Sequence, residues 1–447
     1  MAQSNVSGKG IAVGLGETII TPGENLLMRG FARSQVATGT HDELHARSLV
    51  VEDADGKTVV LMTLSLVYLE RDLVDLIRKG IEAETGIPAG NILISCTHTH
   101  AGPYIEKAPQ SYRDFLVEWS VASAVEAWNG RFPGRIGIDS VTLLELGRNR
   151  RRLLYGGIHP DPQLGLIKIE DADGNLKGVL FNYGCHPSTL DWQNRLYSED
   201  WPYYAIKGVK EALGGDVWAA YMQSAQGDIN TGYSSELSAV GVDMPVRSYW
   251  YIEVKGNQMA EAVTKALPGI GTTDNLNVDA ALDFFDFPLR EEFPVTLEEA
   301  EQAAAEMDAK LSDMEKIPEF EGTKKLDMVR FQHFSAHQRH EFAKIFYAGD
   351  FPGSISMEMQ AVRIGDTAFF SLPGEVFSEI ALAVKKQSPF EKTLAAGVAN
   401  GYYGYMPTAK EFIEGDYEVD GCKYSPKAEQ VCIDSALAVI GRLSENL

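Results

Sequence analysis

The chain has 447 residues, of which 45% are hydrophobic and 23% are charged, and its formal net charge at pH 7 is -23. This composition is typical of a globular protein that buries a sizeable core. The strong acidity disfavours nucleic acids and anionic membrane surfaces as partners, because both would repel the chain.

No targeting or membrane segment is evident in the sequence. Residues 1–10 lack the apolar region of a secretory signal, and no apolar run reaches the length of a membrane span. We therefore expect a cytoplasmic protein without stable membrane insertion. The four cysteines form no CxxC pair. We expect Cys96 and Cys185 to face the core, whereas Cys422 and Cys432 could pair.

Two predicted β-hairpins share the same turn sequence, EDADG. Strands at 48–51 and 58–62 flank the first turn, and strands at 166–169 and 178–181 flank the second. Each hairpin precedes a candidate histidine ligand, which hints at a duplicated unit. Chance convergence on a good turn sequence is the simpler interpretation.

Three amphipathic helices are predicted at 71–85, 112–128 and 201–213, where apolar residues recur at intervals of three and four. The stretch 288–351 differs from the rest. Thr296 and a following glutamate resemble a capping box at the start of one helix, and a second helical pattern runs over 328–347. We predict an inserted helical hairpin, which is either a lid over the pocket or a peripheral decoration.

The most informative stretch is residues 96–103 (CTHTHAGP), which follow a strand-like apolar run. In an extended segment, residues i and i+2 share one face, so His98 and His100 can point into the same cleft. Gly102 and Pro103 then end the strand and turn the backbone. This pattern is typical of a strand that seeds a metal site.

Two later strand ends also carry side chains that bind metals. An apolar run at 178–184 leads to His186, and another at 367–372 leads to Glu375. Zinc binds imidazole nitrogen and carboxylate oxygen, and catalytic zinc sites typically keep three protein ligands and one open position. Because a sheet brings strand ends together, we predict one metal site inside a single catalytic domain that spans 1–447.

Five separated motifs carry a resemblance to a known family: THTHAGP at 97–103, CHP at 185–187, GDIN at 227–230, LPGE at 372–375 and NGYYGY at 400–405. Their order and approximate spacing resemble those of the neutral/alkaline (non-lysosomal) ceramidases. The resemblance implies one zinc ion held by His98, His186, Glu375 and Tyr405. The assignment of Tyr405 as a zinc ligand rests on the resemblance alone. The other candidate site residues are His100, Arg150, Asp228 and Asn230 for catalysis, and Arg150 and Tyr417 for substrate binding.

Two features depart from the family pattern. Asn230 stands where the family has its catalytic serine, so we expect attack by metal-activated water without an acyl-enzyme. Asn230 would at most orient water or donate to an oxyanion. The chain also ends at Leu447, soon after the last motif, so we expect no C-terminal immunoglobulin-like domain.

Other polar clusters have weaker interpretations. The arginines at 148 and 150–152 could grip a substrate anion, since the guanidinium fork matches carboxylates. Three acidic side chains after His186 could orient the ligand imidazoles. They are Asp191, Glu199 and Asp200. His333 and His337 share a helix face, but without an HExxH motif a solvated face is the preferred interpretation. We expect His159 to be structural.

These observations predict an α/β fold with a mixed sheet flanked by helices. The expected function is zinc-dependent hydrolysis of an amide bond in a small-molecule substrate that is smaller or more polar than ceramide. Three alternatives stay open: a true ceramidase acting on N-acylsphingosine, an amidohydrolase-type TIM barrel, and a non-catalytic ligand-binding homologue.

Overall fold

The computed structural model describes residues 10–444, apart from residues 32, 34, 234–246, 322, 350 and 351. Residues 1–9, on which the expected lack of a leader depends, lie outside the described part, as does the end of the predicted insertion at 350–351. The strands are β1 (Ala12–Ile19), β2 (Gly39–Thr40), β3 (His45–Glu52), β4 (Thr58–Leu64), β5 (Ile92–Cys96), β6 (Phe132–Thr142), β7 (Arg148–Asn149), β8 (Gln163–Asp171), β9 (Leu176–Tyr183), β10 (Leu196–Tyr197), β11 (Trp218–Gln223), β12 (Ile229–Asn230), β13 (Val278–Pro288), β14 (Ser354–Ile364), β15 (Thr367–Leu372), β16 (Glu375–Val376), β17 (Lys392–Gly397) and β18 (Tyr405–Met406). The α-helices are α1 (Arg71–Thr85), α2 (Gln110–Asn129), α3 (Trp201–Leu213), α4 (Tyr249–Ala266), α5 (Leu297–Glu315), α6 (Lys324–Tyr347), α7 (Ser378–Gln387), α8 (Glu411–Glu414), α9 (Tyr417–Asp420) and α10 (Ala428–Ser444).

An eight-stranded mixed sheet has the order β11-β9-β8-β6-β1-β3-β4-β5. Both predicted hairpins are confirmed, as the antiparallel pairs β3–β4 and β8–β9. The two halves of the sheet have the same arrangement. In each half a hairpin lies next to a strand that runs parallel to the second strand of the hairpin: β5 beside β4 in one half, and β11 beside β9 in the other. The repetition favours a duplicated unit over chance convergence of the two turns.

The core is built in layers because apolar strand residues alternate between two faces. On β3 and β4, Val50 and Val60 pack with α1 and α2, whereas Leu49 and Leu61 face a second sheet of order β13-β14-β15-β17. Helices α7 and α10 cover the outer face of that second sheet. This mixed, layered architecture confirms the predicted fold class and contradicts the TIM-barrel alternative, which requires eight parallel strands.

The helix predictions are close to the structure. Helices α1 and α3 have the predicted bounds, and α2 extends the prediction at both ends. A capping box between Thr296 and Glu299 begins α5, as predicted. Helix α6 begins at Lys324, four residues before the predicted start. Together α5 and α6 form a hairpin between the paired strands β13 and β14, which we call the helical hairpin.

All four cysteines are buried and free, so Cys422 and Cys432 do not pair. Burial of Cys96 and Cys185 agrees with the prediction that they face the core. Among the described residues, no helix combines the length and apolar character needed to cross a bilayer.

Candidate metal centre

His98 reaches the centre through a turn of the backbone rather than through an extended strand. Strand β5 ends at Cys96, and His98 has a φ of 71°, in the left-handed region. The expected extended geometry of residues 96–100 is therefore wrong. The rings of His98 and His100 nevertheless come together, with centroids 4.9 Å apart. A bulky residue with positive φ is a sign of local strain of the kind often found at functional sites.

The His98 ring has a fixed orientation. Its Nδ1 lies 2.6 Å from the carbonyl oxygen of Val67, which can only accept, so Nδ1 carries the proton. The Nε2 atom then presents its lone pair to the cavity. It lies 3.3 Å from the carboxylate oxygen Oε2 of Glu375.

His186 follows β9 and is held in the same way. Its Nδ1 lies 2.8 Å and 2.9 Å from the carbonyl oxygens of Gln226 and Ile229, and its Nε2 lies 3.0 Å from Glu375 Oε2. Burial and the positive charge of Arg150 lower the pKa of His186 to about 4. The neutral ring is therefore the stable form in the interior.

Glu375 begins the short strand β16, which pairs in parallel with β18 so that Glu375 lies opposite Tyr405. Its second oxygen, Oε1, accepts a hydrogen bond of 2.6 Å from the hydroxyl of Tyr402. The carboxylate is therefore held between Tyr402 on one side and the two imidazoles on the other.

These donors fit a zinc ion. Two imidazole lone pairs lie 3.3 Å and 3.0 Å from the same carboxylate oxygen, an arrangement that is repulsive unless a cation lies among them. Nitrogen and oxygen donors of this kind are those that zinc selects, and backbone carbonyls hold the two imidazoles in orientation. Two of the acidic side chains predicted to orient the imidazoles have other partners: Glu199 accepts from Arg47, and Asp200 caps α3.

His100 completes a buried group of three histidines, whose ring nitrogens lie within 4.8 Å of one another. Its Nε2 lies 3.3 Å from His98 Nε2, and its buried Nδ1 has no hydrogen-bond partner among the described residues. Burial and the two neighbouring histidines hold the pKa of His100 well below its usual value. Gly30 packs on this ring: with φ at 112°, an added Cβ would come within 2.5 Å of His100 Cγ.

Arg150 lies beside the centre in a closed network. Its Nε donates to Glu418, and its Nη2 donates to the carbonyl oxygen of Gly227 at 2.8 Å and to the hydroxyl of Tyr405 at 3.2 Å. The ring of Tyr417 packs edge-on against Tyr405, with centroids 5.5 Å apart. Burial and the charge of Glu375 hold the pKa of Tyr405 well above its usual value.

The arginine cluster does not present a free anion grip. Arg151 pairs with Glu411 and Glu418, and Arg152 pairs with Glu411 and Glu414. The expectation that this cluster binds a substrate anion is therefore unsupported, because acidic side chains about 260 residues away in sequence already neutralise it. Arg150 remains a neighbour of Tyr405.

Asp228 and Asn230 hold the backbone behind the centre. The carboxylate of Asp228 accepts from the backbone N–H and hydroxyl of Ser378 and from the amide of Asn149. Asn230 accepts from the N–H groups of residues 232 and 233 and donates to the carbonyl oxygen of residue 233. These contacts are those of residues that shape the loop. The catalytic roles expected for them stay predictions.

A cavity of about 280 Å³ opens onto the centre. Its wall includes Tyr402 and two basic residues, Arg29 and Lys423. The sequence analysis did not predict these three residues. Only Tyr402 lies in a motif that could have indicated it, the NGYYGY run. Helix α6 contributes three further residues, Phe334, Gln338 and Phe342. Among the described residues that line the cavity, Tyr417 is present, whereas Arg150, Asp228 and Asn230 are absent.

Comparisons with known proteins agree with this fold. A family model described as "Neutral/alkaline non-lysosomal ceramidase, N-terminal" matches residues 11–236. A neutral ceramidase of rice (Oryza sativa subsp. japonica) is 28% identical over 214 residues, which cover 42% of this chain and 27% of the rice protein. The chain thus spans about a quarter of the length of that relative.

Two bacterial proteins match over more of the chain. A neutral ceramidase of Mycobacterium tuberculosis is 23% identical over 453 residues, covering 88% of this chain and 70% of that protein. The crystal structure of neutral ceramidase from Pseudomonas aeruginosa superposes with a TM-score of 0.73 at 22% identity, covering 98% of this chain and 75% of that one. The chain therefore belongs to the neutral/alkaline non-lysosomal ceramidase family.

Proposed function

We propose that this protein is a zinc-dependent hydrolase that cleaves an N-acyl amide bond with activated water. The observation that carries the proposal is the convergence of His98 Nε2, His186 Nε2 and the Glu375 carboxylate at the floor of an open cavity. Membership of a family of amide-bond hydrolases supports the same reaction class. The retained donors argue against a non-catalytic homologue.

In this proposal, His98, His186, Glu375 and Tyr405 hold the zinc. A bound zinc supplies Lewis acidity toward the scissile carbonyl and lowers the pKa of a water molecule toward neutrality. Tyr402 keeps the Glu375 carboxylate in place through its hydroxyl. Arg150 orients the phenol of Tyr405 by donating a hydrogen bond to its oxygen.

His100 is the residue proposed to move the proton. It lines the cavity beside His98, and its buried Nδ1 has no hydrogen-bond partner among the described residues, so one ring nitrogen is open to a proton. The absence of a side chain at Gly30 leaves room for the His100 ring, because a Cβ atom at this residue would collide with it. Asn230 cannot act as an acyl acceptor, so the proposal includes no acyl-enzyme.

The cavity wall supports a substrate with an anionic group. Among the described residues, neither Arg29 nor Lys423 lies within ion-pair distance of a carboxylate, although the charge of Glu106 acts on Arg29. Arg29 stacks on Tyr68 and Tyr104, and Lys423 lies near Tyr403. Elsewhere in this acidic chain, the buried Arg47 is paired with Glu199. A volume of about 280 Å³ is near the lower end for ligand pockets, which supports a compact acyl amide.

A true ceramidase remains the second candidate. Phe31, Phe334 and Phe342 give the cavity an aromatic wall that suits an acyl chain. The two candidates differ in the leaving group, since an N-acylsphingosine carries no carboxylate for Arg29 or Lys423 to bind.

A substrate panel tests the proposal on the zinc-loaded protein. The panel pairs N-acyl amino acids with their neutral carboxamides, and adds ceramide in detergent micelles. We expect cleavage of the acyl amino acids, a lower kcat/KM for the carboxamides, and loss of the difference in Lys423→Met. Lys427→Met, at an exposed lysine paired with Glu291, is the matched control. Preferred cleavage of ceramide would support the second candidate, and no turnover of any amide would refute both.

A further inference from the structure

A second group of metal-binding side chains lies on the helical hairpin, away from the buried centre. His333 and His337 are four residues apart on α6, so both imidazoles point from one face of the helix. Asp308 on α5 faces them across the hairpin. Its Oδ1 lies 2.8 Å from His333 Nε2 and 2.9 Å from His337 Nε2.

The three side chains have the chemistry of a transition-metal site. Their ligand atoms lie within 4.8 Å of one another, and the two imidazole rings are 4.4 Å apart. Two imidazoles and one carboxylate are ligands that Zn²⁺ accepts, with a remaining position for water. The side chains are 30% to 57% exposed, so an ion can reach them from solvent.

The position of this group connects it to the cavity. Phe334, Gln338 and Phe342, on an adjoining face of α6, line the cavity of the buried centre. The packing inside the hairpin includes one small apolar cluster, of the buried Met314, Leu326 and Val329 with the partly buried Met307, Leu311 and Phe320. A metal ion between α5 and α6 would add a cross-link to this small core.

We propose that Asp308, His333 and His337 form a second metal site, which takes a Zn²⁺-like cation and cross-links the hairpin that covers the cavity. Bound metal holds α6 against α5 and so fixes the face that carries Phe334, Gln338 and Phe342. The site is independent of the buried centre, since it uses none of its residues. It therefore stands or falls separately from the proposed hydrolase activity.

Metal stoichiometry tests the site on the full chain, first stripped with a chelator and then titrated with Zn²⁺ alone. We expect two zinc ions per chain in the wild type and one in Asp308→Ala and His333→Ala. His340→Ala, the same substitution on the same helix outside the group, should keep both. His186→Ala should lose the buried ion and keep the one on the hairpin.

Two further measurements separate metal binding from the hydrogen bonds seen here. His333→Gln keeps a donor for Asp308 but is a poor zinc ligand, so it should fold normally and still lose the second ion. Hydrogen exchange over 297–315 and 324–347 should slow on zinc addition in the wild type and in His340→Ala, but not in His333→Gln. A zinc stoichiometry that stays at the wild-type value in both Asp308→Ala and His333→Gln would overturn the proposal, whatever the buried centre binds.

Discussion

Two histidine clusters of this protein differ in how their imidazoles are held. In the buried centre, the Nδ1 atoms of His98 and His186 face backbone carbonyl oxygens, which fix both the rotation and the tautomer of each ring. On the helical hairpin, His333 and His337 are about one-third exposed and share the single carboxylate of Asp308. The first arrangement is preorganised before any ion binds, whereas the second depends on helix spacing.

The difference indicates what each cluster can do. Buried donors act in a low-dielectric interior, where a bound cation exerts a strong field on a substrate carbonyl. Exposed donors are screened by solvent and lack that field. A metal on the hairpin can therefore order two helices, while a metal in the buried centre can support chemistry. The following variants test this contrast, beginning with the largest expected effect.

Loss of a buried ligand should have the largest effect. His186→Ala removes one of the imidazoles that converge on Glu375, so we expect kcat/KM to fall by about 10³-fold or more, with loss of one zinc. Elemental analysis and turnover on the preferred amide measure both effects. His340→Ala, on the hairpin outside both clusters, is the control. Wild-type turnover by a His186→Ala protein that has lost the buried zinc would contradict the role of the buried centre.

Arg150→Ala should have the next largest effect, because this side chain donates to Tyr405 and is paired with the buried Glu418. We expect kcat/KM to fall by about 10²-fold and stability to fall by about 1.5 to 3 kcal/mol, the cost of losing a hydrogen bond to a charged group, since Arg151 still pairs with Glu418. Arg152→Ala, a neighbouring arginine whose side chain is 29% exposed, should change both quantities little. Equal losses in the two variants would show that Arg150 has no special connection to the centre.

Tyr402→Phe removes one hydroxyl and tests the support of Glu375. The Tyr402 hydroxyl donates to Glu375 Oε1, and loss of such a partner typically costs about tenfold in metal affinity. Competition with a chromophoric chelator measures the affinity. Tyr403→Phe is the matched control, since the Tyr403 hydroxyl has no hydrogen bond among the described residues. Unchanged zinc affinity in Tyr402→Phe would mean that Glu375 needs no such support.

The sequence predicts the positions of the proposed zinc ligands better than their geometry. Apolar runs that end in Pro or Gly locate His98, His186 and Glu375 at strand ends, because strands and their breakers have strong local signals. The predicted extended backbone at His98 is nevertheless wrong. That residue has a positive φ, and its N–H donates to the carbonyl oxygen of Leu66, a contact between segments that the local sequence does not indicate.

The partners of the ligands could not be predicted from the sequence. The imidazoles are oriented by carbonyl oxygens, and every residue has a carbonyl, so no residue type marks Val67 or Gln226 for this task. The ion pair of Arg150 with Glu418 joins residues 268 positions apart, and only the folded chain brings them together. The helical hairpin, by contrast, was predicted because its capping box and helix formers are local.

His159 gives the smallest expected effect and tests whether burial alone makes a functional histidine. It is buried, its Nε2 donates to the carbonyl oxygen of Gly184, and its Nδ1 accepts from the N–H of Asp161. Burial lowers its pKa to about 4, so between pH 4 and 6.5 the unfolded chain binds the proton that the folded one excludes. The free energy of unfolding should therefore rise with pH across this window.

In His159→Gln, this rise between pH 4 and 6.5 should be smaller by at most about 3 kcal/mol, because glutamine does not titrate. Urea unfolding at pH 4.5 and pH 7 measures the slope, and His340→Gln, at a partly exposed ring, should leave it unchanged. Zinc content should stay at the wild-type value, since His159 is in neither of the groups of metal-binding side chains found among the described residues. An unchanged slope would show that burial of His159 does not make the free energy of unfolding depend on pH. Loss of zinc would show that His159 belongs with the buried centre.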